Sequence, residues 1–335
     1  MNAADAVAVA MFAGLGAYAL FGGADFGAGF LDLTAGRRRG DEIRTQIDHS
    51  IGPVWEANHV WLIYVLVLAW TAFPRAFAAV TTTLQVPLAL ALLGIVARGA
   101  SFAFRKFAPS YSHARLFGAL FAGSSLIAPF FLGTVAGAIA SGRVPAQGSG
   151  DRIDSWVNPT SLCVGVIAVA SCAFLAGSFL TADAARSGHH ELSEVLRRRT
   201  LAVGVVTGAL VLSALAPIHH DAPTIAHELT GRAAPLIALS IAGGVLALGL
   251  LARRAYSAAR LAAVVAVAAV VAGWGVAQYP WLLVDQLRIA DGAGAPATLH
   301  ALLVVVGIAV VSVLPALIYL FRLTQTREWS DAEPH

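Results

Sequence analysis

What most limits the folds open to this chain is a series of apolar stretches, each about as long as a bilayer is thick, separated by short polar connections. A transmembrane helix takes roughly 20 apolar residues. Nine segments meet that requirement, at 8–33, 51–73, 76–100, 115–140, 159–181, 200–218, 234–251, 259–279 and 298–321. In hydrocarbon the backbone must satisfy its own polar groups, and segments of this kind do so as helices. Charged residues make up 12% of the chain, against the roughly 25% that a water-facing domain carries. The expected architecture is an all-α integral membrane protein of nine transmembrane helices, with no soluble domain of useful size.

The first apolar run has no Lys or Arg before Arg37. A signal peptide needs a basic start and a short apolar core, so this run is read as a first transmembrane helix with its basic end trailing. With nine spans, 17 of the 22 Lys and Arg residues fall on the side of the C-terminal tail. They include Arg37–Arg39, Arg98, Arg105, Arg197–Arg199, Arg253 and Arg254. Positive charge stays in the cytoplasm, which predicts an external N-terminus and a cytoplasmic C-terminus. Basic residues spread over short loops are explained by lipid head groups, and the same reading excludes a nucleic-acid partner.

The Gly- and Ser-rich connection 142–158 divides the chain. Residues 1–141 form a first four-helix unit; 159–322 form a second, of four helices and a ninth; 323–335 form a cytoplasmic tail. The exit of the fifth span, LTADAARSGHHELSEVLRRR, loosely echoes LDLTAGRRRGDEIRTQ after the first, as a duplicated unit would. Gly22, Gly23, Gly27 and Gly29 are read as helix-packing positions, since small residues let helix backbones approach.

Cys163 and Cys172 lie at no helical neighbour spacing, and neither a disulfide nor a metal site is expected from them. The group His219, His220, Asp221, His227 and Glu228 has suitable metal-ligand types. Adjacent histidines diverge on a helix or strand, so loop chemistry is the reading and no metal is expected.

Charges inside spans cost at least ~2.5 kcal/mol at mid-membrane and are functional candidates by default. Two carboxylates stand out, Asp25 in GGADFGAGF and Glu56 in GPVWEANHVWLIY. At 1.5 Å per residue Asp25 lies about 12 Å from the cytoplasmic end of span 1, and Glu56 lies one to two turns into span 2. The two can face each other. Asp32 shares roughly the face of Asp25 and Asp48 sits at the mouth of span 2, so the four acids suggest a polar track open to the cytoplasm. They either pass protons or lock helix packing. Trp55, Asn58, His59 and Trp61 line the same helix. His59, three residues from Glu56, has no second histidine at matching depth, which argues against haem ligation.

Together, ADFGAGFLDL (24–33), the Arg-rich loop and IGPVWEANHVWLI (51–63) resemble subunit II of cytochrome bd quinol oxidases. Nine spans and a four-plus-four-plus-one layout are similar to that family over essentially the whole length. The resemblance implies a respiratory terminal oxidase of a bacterial plasma membrane. It oxidises quinol at the outer face, reduces oxygen to water with cytoplasmic protons, and so separates charge. Two haems b and a haem d are then expected in subunit I, the partner that this subunit stabilises, with none here. A structural quinone or lipid and a small single-helix accessory subunit are compatible with it. The resemblance further implies that Glu56 belongs to a hydrophilic channel, that Asp25 is a polar interior group, and that Trp61 borders an oxygen route. Many members have WDGN where this chain has Trp55-Glu56-Ala57-Asn58; the acid is kept, one methylene longer. The competing reading is a secondary transporter, in which a central site would be fed from both sides through helices broken at mid-membrane.

Overall fold

The computed structural model describes residues 2–36, 40–51, 55–105 and 111–323. The chain is helical almost throughout. Helix α1 (Ala3–Ala17) starts at a capping box: Asp5 N–H donates to the Asn2 side chain at 2.8 Å, and Asn2 N–H to the Asp5 carboxylate at 3.3 Å, satisfying two first-turn donors. A π-helical turn, Tyr18–Gly22, joins it without a break to α2 (Gly23–Leu33). Then follow α3 (Gly40–Ile51), α4 (Trp55–Ala72), α5 (Pro74–Thr83), α6 (Gln85–Arg105), α7 (Tyr111–Ala140) and α8 (Pro159–Arg186). The second half holds α9 (His190–Ser213), α10 (Leu215–Asp221), α11 (Pro223–Thr230), α12 (Ala234–Ala252) and α13 (Tyr256–Gln278). A short antiparallel pair, β1 (Trp281–Leu283) and β2 (Leu287–Arg288), turns through Asp285 at φ 59° and leads through α14 (Ile289–Gly292) to α15 (Pro296–Leu323).

Among the described residues eight helices are long and apolar enough to cross a membrane, and α4 and α5 pass that test only together, as a pair bent at the break between them. The bend is 116° and has a local cause. Pro74 opens α5, and the residue before a proline is pushed out of the helical region; Phe73 sits at φ −132°, ψ 57°. A second break at Leu84 separates α5 from α6.

These breaks correct the span expected at 76–100. The straight helix there is α6, displaced toward higher numbers, so Arg98 is not a loop residue at all. It lies well inside α6 and is fully buried, and it leaves the tally that fixed the orientation. The connection after span 1 is also more ordered than its polarity suggests. It contains α3, whose Ile43 and Ile47, one helical turn apart, bury against Leu31, Leu180 and Leu192, while Asp41, Glu42 and His49 face out. Likewise the connection 219–233 is largely helical, in α10 and α11.

Helix α2 lies against both α7 and α8; α6 runs along α7, α8 along α9, and α12 along α13, which also packs on α8. The α7–α8 crossing is close because both sides are small: a Cβ on Gly133 would come within 2.7 Å of the Gly165 Cα. Helix α15 touches mainly α1 and α4. It leaves Val304, Ile308 and Val311 exposed, as α4 leaves Val60, Ile63 and Val67, surfaces suited to lipid or to another membrane subunit.

Candidate functional site: a buried carboxylate between three helices

The π turn is where the site begins. Gly23 N–H bonds to Tyr18 O, five residues back, and this wider turn inserts one residue, rotating α2 relative to α1. Such turns are frequent at functional positions. Tyr18 folds down over the following turn, where a Cβ on Gly22 would stand 2.9 Å from its ring. The phenol packs edge-on to Phe26 at 6.3 Å and to the His59 imidazole at 6.2 Å.

Asp25 is the centre. It is 3% exposed and surrounded by Asn58 of α4 at 2%, Arg98 of α6 at 1% and Tyr18 at 5%. Asn58 Nδ2 donates to the Asp25 carboxylate at 2.6 Å and, more weakly, to Phe21 O at 3.5 Å. Arg98 Nη2 donates to the main-chain carbonyl of Asp25 at 3.1 Å. Its guanidinium lies over the faces of Phe26 and Phe121 at 5.0 and 5.3 Å, a contact strengthened by desolvation. Arg98 also acts electrostatically on Asp25 and Tyr18. A buried acid is thus matched by a buried cation, as a low-dielectric setting requires.

The acids expected to form one track are held differently. Asp32, also buried, takes Arg44 Nε at 2.7 Å, so α2 and α3 are tied by an ion pair. Asp48 is half-buried on α3. The side chains of Glu56 and Trp55 lie outside the described residues, as does the face-to-face placement expected of Glu56 and Asp25. Asn58 holds the position opposite Asp25. Trp61 is half-buried against the cluster of Tyr18, Phe26, Ala128 and Cys172 and meets Tyr64 edge-on at 6.3 Å.

The packing glycines each have a close neighbour. A Cβ at Gly27 would run into the main chain of Cys172, one at Gly29 into the Ser125 side chain, and one at Gly23 would meet Cys172 Sγ at 3.3 Å. These contacts set the distance from α2 to α7 and α8.

The His59 imidazole is half-buried and meets the Tyr18 and Phe26 rings edge-on at 6.2 and 6.1 Å. No group of three metal-ligating side chains exists among the described residues. Asp221 receives Thr160 Oγ1 of α8 at 3.2 Å, and Glu228 pairs with Arg232 at 2.8 Å, so both acids are engaged by neighbouring side chains. Both cysteines are free thiols.

Sequence reasoning missed Arg98 and Tyr18. Arg98 carried one available signal, an arginine between two apolar runs in VARGASFAF, and was lost because the span was ended too early. Tyr18 carried none, since its role depends on the π turn.

Comparison with known proteins places the chain. Residues 3–324 match the family described as cytochrome bd terminal oxidase subunit II. A protein of Bacillus subtilis (strain 168) named cytochrome bd ubiquinol oxidase subunit 2 is 28% identical over 153 residues, a stretch covering 45% of this chain and 44% of that protein. The chain therefore matches less than half the length of this relative. A structure of bd oxidase from Geobacillus thermodenitrificans superposes with a TM-score of 0.81 at 24% identity, covering 97% of this chain and 99% of that one, and shows the same fold. With the family matched over nearly every residue, the chain belongs to the cytochrome bd terminal oxidase subunit II family.

Proposed function

We propose that this chain is the non-haem subunit of a respiratory quinol:oxygen oxidoreductase in a bacterial plasma membrane. It packs against a haem-bearing subunit I and contributes, through Asp25 and its neighbours, to the supply of cytoplasmic protons for oxygen reduction. In the assembled enzyme two haems b and a haem d in subunit I would carry electrons from quinol to oxygen. The protons consumed in forming water then have to cross part of the membrane from the cytoplasmic side, with the N-terminus outside and the C-terminus inside. The two four-helix units, 1–141 and 159–322 with its ninth helix, would give this subunit the shape to pair with its partner, leaving room for a structural quinone or lipid and a small accessory helix.

The observation that carries the proton role is the placement of Asp25. A carboxylate on a continuous span, buried but hydrogen-bonded through a single neutral side chain at 2.6 Å, and matched by Arg98, is kept in the membrane at a cost that packing alone does not require. Glu56, two residues before Asn58 in sequence, and Asp32 and Asp48 toward the α3 side, extend the proposed path toward the cytoplasm. Trp61, beside this cluster, borders the proposed oxygen entry.

The test is to express the chain with its subunit I and compare oxygen consumption and proton uptake in proteoliposomes for the native pair, Asp25→Asn and Glu56→Gln. Loss of both in either variant, with the haem spectrum intact, is expected. Full turnover and uptake in both variants would leave the chain a structural partner only.

A further inference from the structure

Around Asp25 three polar atoms from three segments are buried without a hydrogen-bond partner among the described residues: Tyr18 Oη from the π turn, Asn58 Oδ1 from α4 and Arg98 Nε from α6. Buried polar atoms are nearly always paired with protein or ordered water; six are unpaired among the described residues, and three of the six gather around this one carboxylate. Asn58 fixes the geometry. Its Nδ2 is committed to the Asp25 carboxylate, which can only accept, so Oδ1, in the same amide plane, points away from that bond. Arg98 uses Nη2 on the Asp25 carbonyl and leaves Nε buried with no partner among the described residues. Asn58 bonds to Asp25, and Arg98 and Tyr18 lie within electrostatic reach of each other and of Asp25, so the three residues share one neighbourhood.

The chemistry of the three atoms selects the ligand. Arg98 Nε can only donate, Asn58 Oδ1 can only accept, and the phenol can do either. A metal cation would be opposed by the guanidinium, and an anion by the Asn58 oxygen and the Asp25 carboxylate. A small neutral molecule that both donates and accepts satisfies all three. We propose that Tyr18, Asn58 and Arg98 form an internal water-binding site against Asp25, occupied in the assembled membrane protein. Internal waters typically make about three bonds to groups left otherwise unsatisfied, which is the number of groups offered. Its functional meaning rests on the proton-path reading above: water held there is the immediate proton donor to, and acceptor from, the Asp25 carboxyl, through a hydrogen bond that Tyr18 and Asn58 orient. Its existence does not depend on that reading.

Radiolytic hydroxyl labelling of the intact two-subunit complex in nanodiscs, read by mass spectrometry, tests the site directly. Activated bound water oxidises the side chains beside it even where bulk solvent is excluded. Phe26, at 2% exposure, is expected to be modified several-fold faster than Phe73, equally buried at 1% but in an apolar cluster. Tyr18→Phe and Asn58→Leu should each lower the Phe26 rate toward that of Phe73, whereas Tyr64→Phe, whose hydroxyl serves Ala10 O at 3.2 Å, should leave it unchanged. Phe26 labelling no faster than Phe73, or unaltered in both Tyr18→Phe and Asn58→Leu, overturns the site. Asp25→Asn separates the two readings. Fast Phe26 labelling in the native complex together with full turnover of Asp25→Asn would retain the water and remove the proton role; slow labelling with lost turnover would do the reverse.

Discussion

Arg98 and Asp25 meet through the main chain: the guanidinium donates to the Asp25 carbonyl at 3.1 Å, while the Asp25 carboxylate takes its short hydrogen bond from Asn58 at 2.6 Å. The cation therefore balances the acid at close range without occupying the carboxylate oxygen that Asn58 holds. An acid gripped by a neutral amide and balanced by a nearby cation can change protonation without breaking a direct ion pair.

That arrangement makes the pair asymmetric under mutation. Arg98→Met leaves Asp25 buried without its counter-charge and is expected to cost about 3–5 kcal/mol, read as a lower thermal midpoint for loss of monodisperse complex. Asp25→Asn, which keeps a hydrogen-bonding group of the same shape, should cost much less. The double variant should be more stable than Arg98→Met alone, the coupling expected of residues in contact.

The helix spacing around α2 gives a second expectation. At Gly27 a methyl group meets the Cys172 main chain, which no rotamer change can relieve. Gly27→Ala should lower the stability of the complex by about 1–3 kcal/mol, the usual cost of overpacking. Gly23→Ala, facing the Cys172 sulfur at 3.3 Å, should cost less. Gly16→Ala, with open space around it, should be neutral or slightly stabilising.

The tie between α2 and α3 gives a third. Asp32 is buried and Arg44 about one-third exposed, at 2.7 Å. Arg44→Gln should destabilise by about 1–2 kcal/mol, through the loss of one charged donor to a buried acid and allowing for screening at the exposed partner. Faster amide exchange confined to α3 and the end of α2 is the measurement that checks it.

Acid should act on the 142–158 connection. The backbone N–H groups of Asp154 and Ile153 hold the Asp151 carboxyl below its ordinary range. Its contribution is then present above the ordinary carboxylate pKa and lost as pH falls through the lowered value. Asp151→Ala should speed amide exchange in this loop at neutral pH, and the difference from the native chain should shrink in strong acid.

Much of this protein was legible in residue order because a bilayer imposes simple rules. Apolar length brought out the long helices able to cross a membrane, a buried charge on a long apolar run marked Asp25 as special, and the two motifs at 24–33 and 51–63 named the family. The same rules misplaced Arg98, since hydropathy along the chain cannot register that Pro74 and the break at Leu84 move the start of α6 to Gln85. The amphipathic helix α3 was also hidden: its polar residues read as loop until Ile43 and Ile47 found Leu31 and Leu180 to bury against.

Which groups surround Asp25 was decided only by the tertiary structure. The π turn rotates α2 by one inserted residue, glycines at 27 and 29 let α7 and α8 close in, and α4 and α6 then deliver Asn58 and Arg98 from 33 and 73 positions away in sequence. Lipid exposure depends on each residue's own polarity and can be read locally. Charge balance inside the membrane depends on distances between helices, and those exist only once the helices have packed.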